Sequence, residues 1–229
     1  MSERALMPAA LAQTFAALDA VAHDDISRFA PPPRDAKEAA VLVTLRESTS
    51  GLQTLLVTRG SSLRAHAGQV AFPGGAVEPA DADVVATAVR EATEETTLSS
   101  DQLQPVLSWP RLWIPVSGFA VTPVFAWWTS EDFAAARDAN GEVVAVHHVG
   151  IEQLSDPRHR RLVRYPNGAL GPGFDVDGLF VWGFTGLLID RLLHFTGREL
   201  PWDATAVVDL PAAVASPPDS LGPALGRSR

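Results

Sequence analysis

The chain has 229 residues, enough for one domain or two small ones. Hydrophobic residues make up 46% and charged residues 20%, so a sizeable core can be buried without disulfides or a structural metal. Against 27 Asp and Glu stand 18 Lys and Arg, a formal net charge of −9, which argues against a general nucleic-acid binder because that role needs a basic face to displace counterions. An anionic small molecule is not excluded, since a few arginines and a divalent cation can make one pocket positive on an acidic protein. There is no cysteine, hence no disulfide framework and no thiolate metal site. The N-terminal residues lack a basic start followed by an apolar run, so no secretory signal is expected. The most apolar stretch, Leu179 to Ile189, is too short for a bilayer and is closed by Asp190 and Arg191. The expected location is cytoplasmic, with no membrane partner.

In chain order, Leu6 to Ala22 carries Leu11, Phe15, Leu18 and Val21 at helical spacing. Pro31, Pro32 and Pro33 break the chain, which divides into residues 1–33 (helix and linker), 34–210 (main domain) and 211–229. Ala39 to Leu45 and Leu52 to Val57 are strand-like and flank a polar turn at Gly51, the pattern of a hairpin. A loop rich in Arg, His and Gly runs from Arg59 to Gln69. Val70 to Phe72 is short and apolar and is stopped by Pro73-Gly74-Gly75. Val85, Ala88, Val89 and Ala92 then give one face of a helix, with Asp81 and Asp83 near its start, where carboxylates suit capping and the helix dipole. Further strands are predicted at Val106 to Trp109, Ala120 to Trp128, Glu142 to Val149 and Leu179 to Phe184, and a closing helix at Gly186 to Phe195. The last stretch, 211–229, is rich in Pro, Ala, Ser and Gly and is expected to be disordered.

The chemistry centres on Arg90-Glu91-Ala92-Thr93-Glu94-Glu95. On a helix, Glu91 and Glu95 lie one turn apart on one face with Glu94 beside them, an arrangement that costs about 0.2–0.5 kcal/mol per like-charge pair. Arg90 can offset part of that through Glu94. Alone, such a run is most often a solvated acidic face. Here it follows Phe72-Pro73-Gly74-Gly75, whose glycines allow a sharp turn and a close backbone approach. The three carboxylates form a hard oxygen cluster suited to Mg²⁺ or Mn²⁺.

Gly-Gly followed at this distance by Arg-Glu-x-x-Glu-Glu resembles the Nudix box. The match departs from the family pattern twice. Fourteen residues separate Gly75 from Arg90 where the pattern has thirteen, so its first acidic position falls on Asp81 or Asp83. Its last glycine is Thr97 here. Just upstream, Leu63-Arg64-x-His66-x-Gly68-Gln69-Val70-x-Phe72-Pro73-Gly74-Gly75 is similar to the signature of the coenzyme A diphosphatase branch. Gly118 to Val124 and Trp182-Gly183-Phe184-Thr185 match two further segments of that branch, and the resemblance covers about residues 38 to 200.

The resemblance implies an α/β fold, the Nudix α/β/α sandwich with a mixed β-sheet. It implies metal-dependent hydrolysis of the diphosphate of coenzyme A, or a derivative, to 3′,5′-ADP and 4′-phosphopantetheine. Glu91, Glu94, Glu95 and the Gly75 carbonyl would be metal ligands for Mg²⁺ or Mn²⁺, Arg90 would orient the glutamates, and Glu142 is a candidate for a further ligand or base. Arg59 and Arg64 offer planar forks for phosphate, His66 could donate to phosphate, and Gln69 could orient it. Singly, a loop arginine is more often solvated and a lone histidine more often a satisfied surface or core residue. A Nudix diphosphatase acting on NADH, a nucleotide sugar or capped RNA is the alternative, and a nucleotide-sensing module without catalysis a further one. The expected partner is a small diphosphate, without nucleic acid; a homodimer is left open.

Overall fold

The computed structural model describes residues 7–60, 68–129, 134–135 and 143–210. The expected tail at 211–229 lies outside them. The chain opens with helices α1 (Ala9–Leu18) and α2 (His23–Ile26). The predicted helix from Leu6 to Ala22 is shorter than its apolar pattern: Pro8 stands at its N-cap with extended backbone, and Asp19 closes it. Val21 lies beyond the helix yet still packs on the core.

The hairpin follows as β1 (Lys37–Ser48) and β2 (Gly51–Arg59), joined through Thr49-Ser50 with Ser48 opposite Gly51. Next come β3 (Val70–Ala71), β4 (Gly74–Ala76), helix α3 (Val84–Glu95), β5 (Leu103–Ser108), β6 (Leu112–Ile114), β7 (Phe119–Trp128) and β8 (Val143–Gly150). Among the described residues these eight strands make one sheet, in the order β3-β2-β1-β7-β5, with β4 on β1, β6 on β7 and β8 on β2. The sheet is mixed, because β1 and β7 run parallel while the hairpin pairs are antiparallel. β1 is buried along nearly its whole length, as expected of a central strand covered on both faces.

The hairpin strands do not stay together. They pair from Leu45 opposite Thr54 to Ser48 opposite Gly51 and then part. Into that fork run β3, which pairs with β2 at Val57 and Thr58, and β4, which pairs with β1 at Ala39 to Val41. The Pro73 carbonyl accepts a hydrogen bond from Leu42 N at 2.8 Å. Pro73 needs no N–H partner of its own. Gly74 and Gly75 thereby enter the middle of the sheet.

Beyond β8 come α4 (Ile151–Ser155), β9 (Arg160–Arg164), β10 (Leu170–Val176), β11 (Leu179–Val181), α5 (Gly183–Phe195) and β12 (Val207–Asp209). β11, β10, β9 and β12 form a second sheet. Three of its strands, β9, β10 and β12, are not predicted from the sequence, and for β9 and β10 the reason is composition. Arg-Arg-Leu-Val-Arg is mostly charged, and Leu-Gly-Pro-Gly-Phe-Asp-Val holds two glycines and a proline, so neither has strand propensity. Their pairing with each other makes them strands. The run Leu179 to Phe184, read as one strand, changes to helix at Gly183. A short run that is apolar at every position has no period by which strand and helix could be told apart.

One face of the main sheet, with Ala40, Leu42, Leu55, Val57 and Val124, packs on Ala88 and Ala92 of α3. The other, with Val43, Leu45, Leu56 and Phe125, packs on Leu11, Phe15 and Leu18 of α1 and on Leu188, Ile189 and Leu192 of α5. This is the α/β/α arrangement expected. Trp109 belongs to this core: its Nε1 donates to the Leu18 carbonyl at 3.0 Å and its ring meets Phe125.

A buried ion cluster ties the second sheet to α5. Arg160, with its side chain 1% exposed, pairs with Asp190 and, at 3.2 Å, with Glu199, and its guanidinium lies over the rings of Phe174 and Trp202. Removing one partner of a buried pair leaves a charge uncompensated. Asp190→Ala is therefore expected to lower the unfolding free energy by about 3 kcal/mol in urea titration. A loss well under about 1 kcal/mol would mean that Glu199 alone satisfies the guanidinium.

Candidate active site

Helix α3 begins at Asp83, whose side chain accepts from Ala86 N at 2.8 Å. Its partner in the sequence, Asp81, does something else. Asp81 accepts from Arg90 through both oxygens, from Nε at 2.9 Å and Nη2 at 3.0 Å, and also from Glu78 N and Thr87 Oγ1. Two acidic positions that the sequence left equivalent are thus separated: Asp83 caps the helix, and Asp81 grips its arginine.

Arg90 has further partners. Nη2 donates to the Ala76 carbonyl at 3.0 Å, and Nη1 donates to Glu91 Oε1 at 2.9 Å and Glu94 Oε2 at 3.2 Å. One guanidinium so joins the end of β4, the loop that follows it and the carboxylate run. Such forked, charge-assisted bonds are the strong class of hydrogen bond. Arg90 is held above its ordinary pKa, chiefly by the bond to Asp81.

Glu95 is buried, 5% exposed. Gly74 N–H donates to its Oε2 at 3.2 Å, and Arg59 Nη1 lies 3.6 Å from its Oε1. Glu91 lies directly over Gly75: a Cβ at that position would collide with the Glu91 carboxylate. Glycine at 75 is therefore a requirement of space rather than of turn conformation. Glu94 differs from both, with a side chain 58% exposed and Arg90 as its ion partner. Among the described residues, no three His, Asp or Glu side chains converge closely enough to hold a metal.

Arg59 and Gln69 form the neck of the basic loop. Arg59 N donates to the Gln69 carbonyl and Gly68 N donates to the Arg59 carbonyl, each at 2.9 Å. Arg64, His66 and Glu142 lie outside the described residues. The sequence reading did not single out the Gly74 N–H donor; the Gly-Gly pair was its signal. Trp128 is core, 1% exposed. His147 and His148 both lie on β8, where burial lowers the pKa of each, and His147 Nε2 meets Thr58 Oγ1 at 2.7 Å.

The NUDIX domain family model matches residues 36–165. The chain belongs to the Nudix family. It is 46% identical over 161 residues to the uncharacterized Nudix hydrolase NudL of Citrobacter koseri, covering 68% of this chain and 81% of that protein. It is 28% identical over 166 residues to a probable nudix hydrolase of Schizosaccharomyces pombe, of which the match spans 58%. Among solved structures, a NUDIX hydrolase from Nitrosomonas europaea aligns with 78% of the chain and 81% of its own, at 13% identity and a TM-score of 0.46. The chain is a Nudix hydrolase, acting on phosphorus anhydrides. Nudix hydrolases generally use divalent metal ions. The donor chemistry fits such an ion: Glu91 and Glu95 are hard oxygen donors one turn apart on α3, and the Glu91 carboxylate lies directly against the backbone of Gly75, whose carbonyl is a further hard oxygen. No helix among the described residues is long and apolar enough to cross a membrane.

The Arg90 bonds, followed by the Glu78 N–H bond, hold the Asp81 carboxyl well below the usual carboxylate range. A lowered native pKa means stability that is complete above the unfolded Asp value of about 3.9 and fades as pH falls through the native one. Arg90→Gln should move the Asp81 titration, followed by carboxyl NMR, up toward about 3.9 and remove that pH-dependent stability. An unmoved titration would assign the shift to the backbone bond instead.

Proposed function

We propose that the chain hydrolyses the diphosphate of coenzyme A, or of a CoA derivative, to 3′,5′-ADP and 4′-phosphopantetheine. The observation that supports this is the position of the loop neck. Arg59, the first residue of the loop that carries Arg64 and His66 in sequence, stands 3.6 Å from a carboxylate of the box helix. Coenzyme A bears a ribose 3′-phosphate besides its diphosphate, and so calls for more cationic contacts than a simple diphosphate. Arg59 and Arg64 have the planar fork that suits phosphate oxygens. His66 adds a donor and Gln69 orients it.

Glu91, Glu95 and the Gly75 carbonyl would hold Mg²⁺ or Mn²⁺, with Glu94 joining by giving up Arg90. When bound, the ion supplies an acidified water and neutralises charge on the diphosphate. Arg90 keeps Glu91 over Gly75. Gly74 N–H fixes one oxygen of Glu95, leaving the other toward Arg59. Water oxygen bonds to one phosphorus, the bridging P–O bond breaks, and the proton passes to a carboxylate, for which Glu142 is the candidate. No covalent nucleophile is needed.

Glu95→Gln keeps shape and removes charge. Its turnover should fall at least about a hundredfold, with the melting temperature little changed. Near-normal turnover at saturating Mg²⁺ would remove Glu95 from the ligand set.

Coenzyme A and dephospho-coenzyme A share the scissile diphosphate and differ by the 3′-phosphate. A charge-assisted contact contributes about 1.5–3 kcal/mol, so kcat/KM should favour coenzyme A at least about tenfold. Arg64→Ala should shrink that preference, and Glu95→Gln should slow both substrates alike. Faster hydrolysis of NADH or a nucleotide sugar would leave the carboxylate site standing and overturn the substrate.

A further inference from the structure

Arg59 is the last residue of β2, and its backbone is held from both sides. Its N–H donates to the Gln69 carbonyl and its carbonyl accepts from Gly68 N, each at 2.9 Å, while across the sheet it stands opposite Val143 of β8. The register shifts at this point: Thr58 faces Ala145 and Arg59 faces Val143, so Val144 is an extra residue. Such bulges re-aim the side chains around them. The Arg59 side chain is turned to α3, where Nη1 lies 3.6 Å from Glu95 Oε1. That side chain is 26% exposed, whereas the carboxylate it faces is 5% exposed. The guanidinium can swing toward solvent, and the carboxylate cannot.

The two oxygens of Glu95 are unlike. Oε2 accepts from Gly74 N–H at 3.2 Å, a backbone donor on a strand paired with β1. Oε1 is the oxygen that faces Arg59. The two arginines near the carboxylate run are also unlike. Arg90 is anchored through Asp81 at 2.9 and 3.0 Å and through the Ala76 carbonyl, so it stays. The Arg59 contact to Glu95 is longer than a hydrogen bond and is an ion pair alone. A divalent cation on Glu95 and the Arg59 guanidinium would be like charges on one buried carboxylate, where screening is weak and repulsion strong. The Arg59 backbone is tied into the sheet, so its side chain is what gives way.

We propose that Arg59 is an exchangeable counter-cation. It pairs with Glu95 until a divalent cation takes that carboxylate, and then turns its fork to the diphosphate of the substrate. Metal and substrate therefore bind in that order, and Arg59 couples the second event to the first. The inference rests on the reading of Glu95 as a metal ligand.

The test is Mn²⁺ binding to the full chain without substrate, followed by the paramagnetic resonance of free Mn²⁺. Arg59→Met should lower the Mn²⁺ Kd at least about threefold, because the ion no longer displaces a partner. Glu95→Gln should raise it. In the Glu95→Gln background, Arg59→Met should bring no tightening, since the shared carboxylate is gone. An unchanged or higher Kd in Arg59→Met, with binding weakened in Glu95→Gln, overturns the exchange and leaves the ligand standing. Equal tightening in both backgrounds also overturns it, because the gain then comes from net charge alone. Glu95→Gln that binds Mn²⁺ as tightly as the wild type removes the ligand assignment, and the exchange with it. Where a variant fails to fold or binds too weakly to measure, NMR of the wild-type chain labelled at its arginine nitrogens decides. Mg²⁺ should shift the Arg59 Nε resonance, assigned by its loss in Arg59→Lys, over the concentrations at which the chain takes up the ion. An Arg59 Nε resonance that Mg²⁺ leaves in place overturns the proposal.

Discussion

The guanidinium of Arg90 is the point on which the site geometry depends. Three carboxylates within five residues of one helix repel each other, and a loop of several residues has to be held against that helix with Gly75 at its start. Arg90 answers both needs, because its fork reaches Asp81 and the Ala76 carbonyl on one side and Glu91 and Glu94 on the other. Lysine could not replace it: a single ammonium has no planar fork to span a carboxylate while also meeting a carbonyl and a second acid.

The helix needs a floor, and the fork in the hairpin provides it. Were β1 and β2 paired along their whole length, there would be no room for β3 and β4 between them. Because they part after Leu45 and Thr54, the Phe72-Pro73-Gly74-Gly75 segment is drawn into the sheet interior. Its backbone N–H at Gly74 then meets Glu95, and the missing side chain at Gly75 admits Glu91. Backbone in a sheet is more rigid than backbone in a loop, so both carboxylates are positioned by elements that do not move easily.

The opposite face carries a different kind of polarity. Arg160, Asp190 and Glu199 are drawn together where the second sheet meets α5, and Arg198 follows one residue before Glu199 at the same helix end. Among the described residues, Arg160 pairs with two acids, whereas Arg198 reaches Thr14 Oγ1 and forms no ion pair. A chain with a net charge of −9 thus keeps individual cations in pockets, and the overall charge says little about what any one site binds.

The box helix, the hairpin and the buried faces were legible in the sequence because their signals are local. Val85, Ala88, Val89 and Ala92 repeat with the helical period, and the strand runs are apolar enough to be read alone. Gly74-Gly75 and the Arg90 to Glu95 run are likewise contiguous, so the chemistry they carry could be read from spacing. What the sequence left undecided was settled by partners far along the chain or across a turn. Asp81 and Asp83 are both acidic and both near a helix start; only the folded loop shows which one meets Arg90. Glu91, Glu94 and Glu95 are equal as letters, yet Glu95 is buried beside Arg59 while Glu94 faces solvent. β9 and β10 exist because they pair with each other, against their own propensities, and the strand-to-helix change at Gly183 lies within an unbroken apolar run. Local pattern fixes which segments can form elements and which residues can do chemistry. Burial and long-range pairing decide which of those residues meet, because they depend on distances that sequence separation does not encode.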